Sequence, residues 1–362
     1  MKKLTSRLSS AAAGFLLAGV IMGVAYASSS SAPPPPDLND GASLDRLAGE
    51  GLLIDVKMAG TRLVAVGEFG HILLSDDNGA SWRQTTAVPS RVTLTGVSFA
   101  DAKTGYAVGH DTTILKTTDG GETWSLVHGG GGTENVLLSV VAIDAQTVLA
   151  VGTFNLVLES KDGGQTWGER KLVSEEAAVS ALLSCKEPQS QEMDENELKT
   201  EEDIPPTDLH LQSAFKNGEG AIFIAAEKGS IYRSLDRGAT WEMKVTCYPG
   251  SFWGGAVLKD GTIVIAGMRG NIWVSRNYGD SWAQVESHTT ESLSGVIQLA
   301  DGTVMIVGLG GAIVSSSDNG ESFKAFNRPD RKGLAAIAQG PDGKVVIVGE
   351  PGIVFESAKP GS

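Results

Sequence analysis

Short runs of alternating apolar and polar residues, separated by glycine-rich turns, recur along most of the chain. The stretch 52–82, LLIDVKMAGTRLVAVGEFGHILLSDDNGASW, shows one complete unit: two apolar runs, a turn, a short third run and a polar turn that ends in tryptophan. Alternation with a period of two residues predicts strands, and the turn residues between them predict antiparallel hairpins. We label the predicted strands of a unit A, B, C and D in chain order, and we expect the tryptophan to be the first residue of strand D.

The polar turn between strands C and D repeats one pattern, Ser/Thr-x-Asp-x-Gly-x-Ser/Thr-Trp, in six copies, with Asn277 in place of Asp in the fifth and Phe323 in place of Trp in the sixth. The copies begin 42, 43, 74, 41 and 41 residues apart, so one interval carries about 30 extra residues on a period near 40. Such a period is typical of four-stranded propeller blades. The three repeated positions are Asp77, Gly79 and Trp82; Asp119, Gly121 and Trp124; Asp162, Gly164 and Trp167; Asp236, Gly238 and Trp241; Asn277, Gly279 and Trp282; and Asp318, Gly320 and Phe323.

A second repeated element, the turn between strands B and C, sets the number of blades. It occurs seven times, as VGEFGHI, VGHDTTI, VGTFNLV, AAEKGSI, AGMRGNI, VGLGGAI and VGEPGIV. The sequence therefore predicts an all-β fold, a seven-bladed β-propeller of four-stranded antiparallel blades. Blade 7 lacks the polar C–D turn, so we expect the ring to close by a borrowed strand or by packing of the N-terminal segment 37–51.

The polar C–D turn has a structural interpretation. Its Asp can accept hydrogen bonds from the turn's own amides, its Gly permits a positive φ, and its hydroxyl side chains add local bonds. The tryptophans are predicted to pack between blades, where a large ring buries apolar area. Six equivalent active sites in one chain are implausible, and we therefore interpret these turns as stability elements.

This turn is the Asp box, or BNR repeat, and its context resembles one family. The box joined to the preceding hairpin, as in GYAVGHDTTILKTTDGGETW at 105–124, resembles the photosystem II stability/assembly factor family and its bacterial relatives over about residues 52–357. The resemblance implies a non-catalytic scaffold: photosynthetic members help to build photosystem II, and bacterial relatives look like accessories of envelope or transporter complexes. Photosynthetic members are associated with a basic surface patch that has no obvious counterpart in this acidic chain, so we do not carry over the photosystem partner.

A carbohydrate-binding or sialidase-like glycoside hydrolase propeller is the alternative function. Sialidases with these repeats use an arginine triad, an acidic Asp and a Tyr/Glu nucleophile pair, and their first Arg lies in a Phe/Tyr-Arg-Ile-Pro stretch. The sequence has no such stretch, and NRPD at 327–330 is the nearest match. We therefore expect no catalytic residues. The alternative predicts converging arginines and paired carboxylates in a central pocket.

The first 27 residues have the composition of an export signal. A basic start precedes an apolar run at 11–24, and Ala-Tyr-Ala at 25–27 matches a cleavage site. We predict an exported protein, periplasmic or extracellular, with no membrane insertion after cleavage; a retained membrane anchor is the alternative. The predicted organisation is a signal peptide at 1–27, a Ser/Pro-rich spacer and N-terminal segment at 28–51, the propeller at 52–357 and a tail at 358–362.

The net charge and the spacing of the histidines argue against several classes of ligand. The chain carries a charge of −14, or −17 without its first 27 residues, which argues against nucleic acid and anionic lipid as partners. The five histidines lack the spacing of a metal site, so we expect no metal and no cofactor. We expect a protein partner that belongs to a membrane or envelope complex. The oligomeric state stays open, with a monomer favoured.

Cys185 and Cys247, the two cysteines of the chain, are predicted to form a disulfide. An even cysteine count in a chain exported to an oxidising compartment favours pairing. Two buried thiols are the alternative.

The extra residues between blades 3 and 4 form an acidic insertion at 173–206, with ten acidic residues and two lysines. The insertion interrupts a D–A connection. In a four-stranded blade the D–A connections and B–C turns share one face, here called the B–C face. The A–B and C–D turns share the opposite one, here called the box face. Residues 174–185 have a start signal and apolar spacing that fit a short helix.

The acidic insertion and the B–C turns define the candidate binding face. We predict that this face meets a protein partner with a basic surface and that the acidic loop steers the encounter. A tolerated surface loop without a partner is the alternative. The candidate residues in the B–C turns are Glu68, His110, Glu227, Lys228, Arg269 and Glu350.

Overall fold

Seven antiparallel sheets form the blades of a β-propeller in the computed structural model of the chain. The structure describes residues 41–86, 88–129, 131–132, 134–185 and 207–356. Six sheets have four strands that follow one another in the chain, and the seventh has three. The innermost strands contact one another in a closed ring, the first blade against the last. The predicted seven-bladed all-β fold is confirmed.

The strands are numbered along the chain, four to a blade except in blade 7. Blade 1 has β1 (Leu53–Ala59), β2 (Arg62–Gly67), β3 (Ile72–Ser75) and β4 (Arg83–Gln84); blade 2 has β5 (Leu94–Phe99), β6 (Gly105–Gly109), β7 (Ile114–Thr117) and β8 (Ser125–His128); blade 3 has β9 (Leu137–Ala142), β10 (Val148–Gly152), β11 (Val157–Ser160) and β12 (Gly168–Glu169); blade 4 has β13 (Leu211–Lys216), β14 (Ile222–Ala226), β15 (Ser230–Ser234) and β16 (Glu242–Val245); blade 5 has β17 (Phe252–Val257), β18 (Ile263–Gly267), β19 (Ile272–Ser275) and β20 (Ala283–Val285); blade 6 has β21 (Leu293–Gln298), β22 (Val304–Gly308), β23 (Ala312–Ser316) and β24 (Lys324–Asn327); and blade 7 has β25 (Leu334–Gln339), β26 (Val345–Gly349) and β27 (Gly352–Glu356).

The hydrophobic core lies between the blades. Side chains alternate along a strand, so Val64 of β2 packs in the cluster shared with blade 2, whereas Leu63 and Ala65 pack in the cluster shared with blade 7. Both surfaces of each sheet are therefore covered. This explains why strand B reads as a continuous apolar run in the sequence.

Each Asp box is closed by its own side chains, as the first copy shows. The Oδ1 atom of Asp77 accepts hydrogen bonds from the Ser75 hydroxyl and the Ser81 amide, both at 2.8 Å. Its Oδ2 atom accepts one from the Ser81 hydroxyl, while the Gly79 amide donates to Ser75 Oγ at 2.8 Å. Gly79 has a φ of 90°, which a side chain would strain. The carboxylate and hydroxyl groups of this turn are therefore satisfied within the turn, whereas the buried indole N–H of Trp82 has no hydrogen-bond partner among the described residues.

The aromatic residue of each box packs in the interface with the preceding blade. Trp124 of blade 2 packs in the cluster that contains Val64 and Leu74 of blade 1, is 5% exposed, and donates its indole N–H to Gly121 O at 3.0 Å. Trp167 lies edge-on to Tyr106 of blade 2, with ring centroids 6.2 Å apart. The aromatic residue is the last residue of the turn, and each D strand begins at the residue that follows it.

The N-terminal segment completes the ring beside the three-stranded blade 7. The Ile353 amide on the outer edge of β27 donates to Gly49 O at 3.2 Å. Ala48 is 3% exposed and packs in the cluster between blades 7 and 1. Residues 46–50 form turns rather than a strand, so this segment covers the edge of β27 without adding a fourth strand.

Candidate functional site

The described part of the acidic insertion places a helix on the B–C face. Helix α1 (Glu175–Leu183) begins after Ser174, whose hydroxyl accepts a hydrogen bond from the Ala177 amide at 3.2 Å. It packs beside β16 of blade 4. The short helix predicted at 174–185 is confirmed. Residues 186–206, with most of the insertion's acidic side chains, lie outside the described residues, as do the predicted signal peptide and tail.

The two cysteines meet at the end of this helix. Their Cα atoms are 5.1 Å apart and their Sγ atoms 2.14 Å apart. Cys185 follows α1, and Cys247 follows β16 with a left-handed φ of 61°. The next residue, Tyr248, donates its hydroxyl to Met268 O in the B–C turn of blade 5 at 2.9 Å. The cysteine pair therefore links the insertion to the join between blades 4 and 5.

Three of the six candidate binding residues are glutamates that hold their own blade together. Glu68 Oε1 accepts the Leu52 amide at 3.0 Å, and Glu350 Oε2 accepts the Gly333 amide at 2.9 Å. Glu227 Oε2 accepts the His210 amide at 2.9 Å in the same way. Each carboxylate therefore joins a B–C turn to the connection that enters strand A. Sequence reasoning placed these glutamates on the binding face and did not identify this local role.

The other three candidates, His110, Lys228 and Arg269, lie in the B–C turns of blades 2, 4 and 5. They are spread around the rim and do not converge. Arg269 is exposed and lines a cavity of ≈ 710 Å³ between blades 5 and 6, together with His288 and Arg331. Arg331 is paired with Glu291 at 2.6 Å. The lining also includes Glu286 and Glu291, so the cavity brings two arginines and two glutamates together. This grouping was not evident from the sequence, because Arg269 and Arg331 are 62 positions apart.

Two exposed phenylalanines on the same face were missed by the sequence analysis. Phe69 and Phe154 occupy the second position of the B–C turns of blades 1 and 3, with φ values of 56° and 54°. They are 62% and 59% exposed, although left-handed backbone is unfavourable for a bulky residue. Each ring lies edge-on to a histidine, Phe69 to His71 and Phe154 to His210. Aligning the seven turns would have revealed them, because other blades carry Asp, Lys, Arg, Gly or Pro there.

All five histidines lie on the B–C face. His71 and His110 are in B–C turns, and His128, His210 and His288 are in D–A connections or at their start. Burial lowers the pKa of His71 and of His128. Nearby carboxylates face two others: Glu227 lies 3.6 Å from His210 Nδ1, and Glu286 lies 3.3 Å from His288 Nδ1. In sequence these residues are scattered, and only the propeller topology collects them on one face.

The central channel is lined by the A strands of all seven blades and forms a cavity of ≈ 610 Å³. Its charged lining consists of Asp55, Lys57, Lys216 and Lys259. Asp55 is paired with Lys57 at 2.7 Å and accepts the Val97 amide of blade 2 at 3.0 Å.

Two of the lining lysines also bind backbone in a neighbouring blade. Lys216 Nζ donates to Ile143 O at 2.8 Å and Lys259 Nζ to Ala300 O at 3.0 Å. Burial lowers the pKa of Lys216. Among the described lining residues there is one carboxylate and no arginine, which differs from the arginine cluster and paired carboxylates that a sialidase-like site requires.

The described ranges contain neither a membrane-spanning helix nor a metal-binding cluster. Within residues 41–356, apart from the gaps given above, no helix is long and apolar enough to cross a bilayer. In the same part of the chain, no group of three or more His, Cys, Asp or Glu side chains could hold a metal ion.

Comparisons with known proteins agree with this architecture. A family model for the photosynthesis system II assembly factor YCF48 matches residues 74–197 and 196–362. No curated protein matches the sequence significantly.

Solved structures are similar in fold at low sequence identity. "YCF48 bound to D1 peptide" has a TM-score of 0.63 and 16% identity, over 88% of this chain and 96% of that one. YCF48 from Cyanidioschyzon merolae has a TM-score of 0.63 and 15% identity, over 84% and 95%. The WD40 propeller domain of Doa1 has a TM-score of 0.59 and 16% identity, over 89% and 97%. Because the family model covers most of the propeller, the chain belongs to the YCF48 family of photosynthesis system II assembly factors.

Proposed function

We propose that this protein is an exported, non-catalytic assembly or accessory factor whose B–C face binds a segment of a protein in a membrane or envelope complex. The observation that carries the proposal is the contrast between the two faces. The box-face turns satisfy their carboxylate and hydroxyl groups locally, whereas the B–C face carries α1, at the start of the acidic insertion, and exposed phenylalanines. Family membership supports a role in assembly, and a solved relative is described as bound to a D1 peptide.

The single carboxylate and absent arginine in the described channel lining support the non-catalytic part of the proposal. The four charged side chains there are engaged with neighbouring strands or with one another. Few charged groups are therefore free to stabilise the charge that develops in the transition state of glycoside hydrolysis. The alternative of a glycoside hydrolase therefore has no observation in its favour within the described residues.

Capture from native envelope extracts tests the proposed face. Deleting residues 189–202 removes six acidic side chains and one lysine, and we expect weaker crosslinking and pull-down of the partner, most clearly at low salt. Thermal unfolding should change little, because the deletion spares α1 and Cys185. Capture that is unchanged at every salt concentration would rule out this face.

Matched charge reversals separate the two faces in the same assay. Glu192→Lys with Glu195→Lys alters the insertion, and Glu219→Lys with Glu321→Lys alters two exposed positions on the box face. Both pairs change the net charge equally. We expect only the insertion pair to reduce capture, and equal effects would point to net charge rather than to a docking face.

Export and the disulfide form the second part of the proposal. We expect the protein in the exported fraction with a new N-terminus at Ser28, shown by N-terminal sequencing, and Cys185 bonded to Cys247. Labelling of denatured, unreduced protein should then find no thiols. An intact N-terminus in the membrane fraction would instead support a retained anchor.

A further inference from the structure

A cleft of ≈ 660 Å³ opens on the B–C face between blades 3 and 4, beside the first turns of α1. The apolar part of its lining is formed by Leu156, Leu172, Val173, Ala178 and the ring of Tyr232. Ala178 is 3% exposed and Tyr232 2% exposed. Tyr232 belongs to the core between these blades, and Leu172 and Val173 pack against that core. The cleft therefore has a rigid apolar base.

Phe154 lies at the rim of this cleft and is held in place by its turn. Its ring is edge-on to His210, with centroids 4.9 Å apart, and is 59% exposed. The following residue, Asn155, donates its amide to Leu209 O at 2.8 Å and accepts the Tyr232 hydroxyl at 3.3 Å. A fixed, exposed aromatic beside an apolar cleft is the usual form of a binding hot spot.

The charge around the cleft is negative. Glu169, Glu175 and Asp208 line it and are exposed. None of the three forms an ion pair within the described residues. Their carboxylates are therefore available to a cationic ligand.

The two cations of the lining do not balance these carboxylates. Arg170 is engaged: its guanidinium contacts Glu159 and donates to Ala239 O at 3.0 Å. Lys171 is the one remaining cation among the lining residues. A cationic segment would therefore be favoured here.

We propose that this cleft binds an extended segment of the partner that carries a bulky apolar side chain flanked by lysine or arginine residues. The inference rests on the proposed function and names the chemistry of the partner. The apolar side chain enters between Phe154 and α1, and the flanking cations face Glu175 and Asp208. An acidic segment is excluded from this cleft by like-charge repulsion.

Binding of short synthetic peptides to the mature, unreduced protein tests the cleft. The probe is a fluorescein-labelled peptide with a Leu-Phe pair flanked by lysines, measured by fluorescence anisotropy at low and high salt. One comparison peptide has serines in place of the apolar pair, and another has glutamates in place of the lysines. We expect binding of the first peptide alone.

Two matched variants locate the binding. Phe154→Ala should weaken affinity by about tenfold, whereas Phe69→Ala, at the equivalent position of blade 1, should change it by less than about twofold. Glu175→Lys with Asp208→Lys should weaken binding and flatten its salt dependence, and Glu219→Lys with Glu321→Lys on the box face should not. Both phenylalanines are exposed, so the variants are expected to fold.

Equal effects of Phe154→Ala and Phe69→Ala, or equal binding of the serine peptide, would overturn the assignment. The envelope assay keeps the two proposals separate. If Glu192→Lys with Glu195→Lys abolishes capture while Phe154→Ala affects neither capture nor peptide binding, the proposed function stands and the cleft assignment is wrong. If peptide binding depends on Phe154 but no B–C-face variant affects capture, the cleft stands and the proposed function is wrong.

Discussion

The two faces of the propeller are built from turns of similar length but opposite character. On the box face, the carboxylate of each Asp box accepts hydrogen bonds from hydroxyls and amides of the same turn. The aromatic ring of the box packs between two blades. On the B–C face, the turns between strands B and C carry exposed Phe69, Phe154 and Arg269 at left-handed positions. One face repeats because it holds the fold together, and the other varies from blade to blade.

This difference indicates where change is tolerated. A box substitution disturbs an interface between two blades, because the box aromatic of one blade packs on the preceding blade. A substitution of an exposed B–C side chain alters the surface alone, unless it removes one of the glutamates that bind the connection into strand A of their own blade. Stability and partner binding should therefore separate by face.

Trp124→Ala should have the largest effect on stability. Removing a ring that is 5% exposed leaves a cavity between blades 1 and 2, and we expect a loss of about 3 to 5 kcal/mol in the free energy of unfolding. Denaturant unfolding monitored by circular dichroism measures it. Phe154→Ala on the opposite face should change stability by less than about 0.5 kcal/mol. Comparable losses for both variants would contradict the division between the faces.

Cys185→Ser with Cys247→Ser should follow, with a loss of about 4 kcal/mol in the chain-entropy model. The pair spans a sequence separation of 62 residues, so a covalent link restricts the unfolded chain strongly. Reduction of the wild-type protein should reproduce the loss and should leave the double variant unaffected. A wild-type protein whose unfolding does not respond to reductant would show that the thiols are free.

Acid should weaken the box face through its carboxylates. Hydrogen bonding, first of all from the Thr240 hydroxyl, lowers the pKa of Asp236 to about 2, and similar bonds lower the pKa of Asp77 to about 2. A lowered folded-state pKa gives stability that is complete above the ordinary value of 3.8 and is lost as the pH falls towards 2. Unfolding free energies measured between pH 5 and pH 2 should show this decline.

The box of blade 5 supplies a natural control for the acid effect. Asn277 holds the same turn without titrating: its Oδ1 accepts the Ser281 amide at 3.0 Å and its Nδ2 donates to Ser281 Oγ at 2.9 Å. Asp236→Asn should therefore keep the turn and reduce the loss of stability between pH 4 and pH 2. An identical pH profile for the variant and the wild-type protein would show that other groups cause the acid sensitivity.

Glu350→Ala should have the smallest effect, about 0.5 to 1 kcal/mol, because it removes one partly buried hydrogen bond to the Gly333 amide. Glu350→Gln keeps an acceptor and should be nearly neutral. Chemical denaturation distinguishes the two variants, and partner capture should be the same for both. A loss of capture without a loss of stability would make Glu350 a binding residue after all.

Local sequence patterns were sufficient for the fold and the turns. Period-two alternation gave the strands, seven B–C turns gave the number of blades, and the Ser174 start gave α1. The strands of a propeller blade follow one another in chain order. The sequence was therefore sufficient to assign each turn to the B–C face or the box face. The first residue of each D strand was misplaced by one position, since the box tryptophan belongs to the turn.

Contacts between residues far apart in the chain were decided by the tertiary structure. The hydrogen bond between Gly49 and β27 depends on closure of the ring. Arg269 and Arg331 line one cavity although they are 62 residues apart in the sequence. The cleft beneath Phe154 likewise combines blade 3, blade 4 and α1. A sequence alone specifies which short segments form strands and turns, because hydrogen bonding and periodicity are local. It does not specify which exposed side chains become neighbours, because that depends on how the blades pack around the axis.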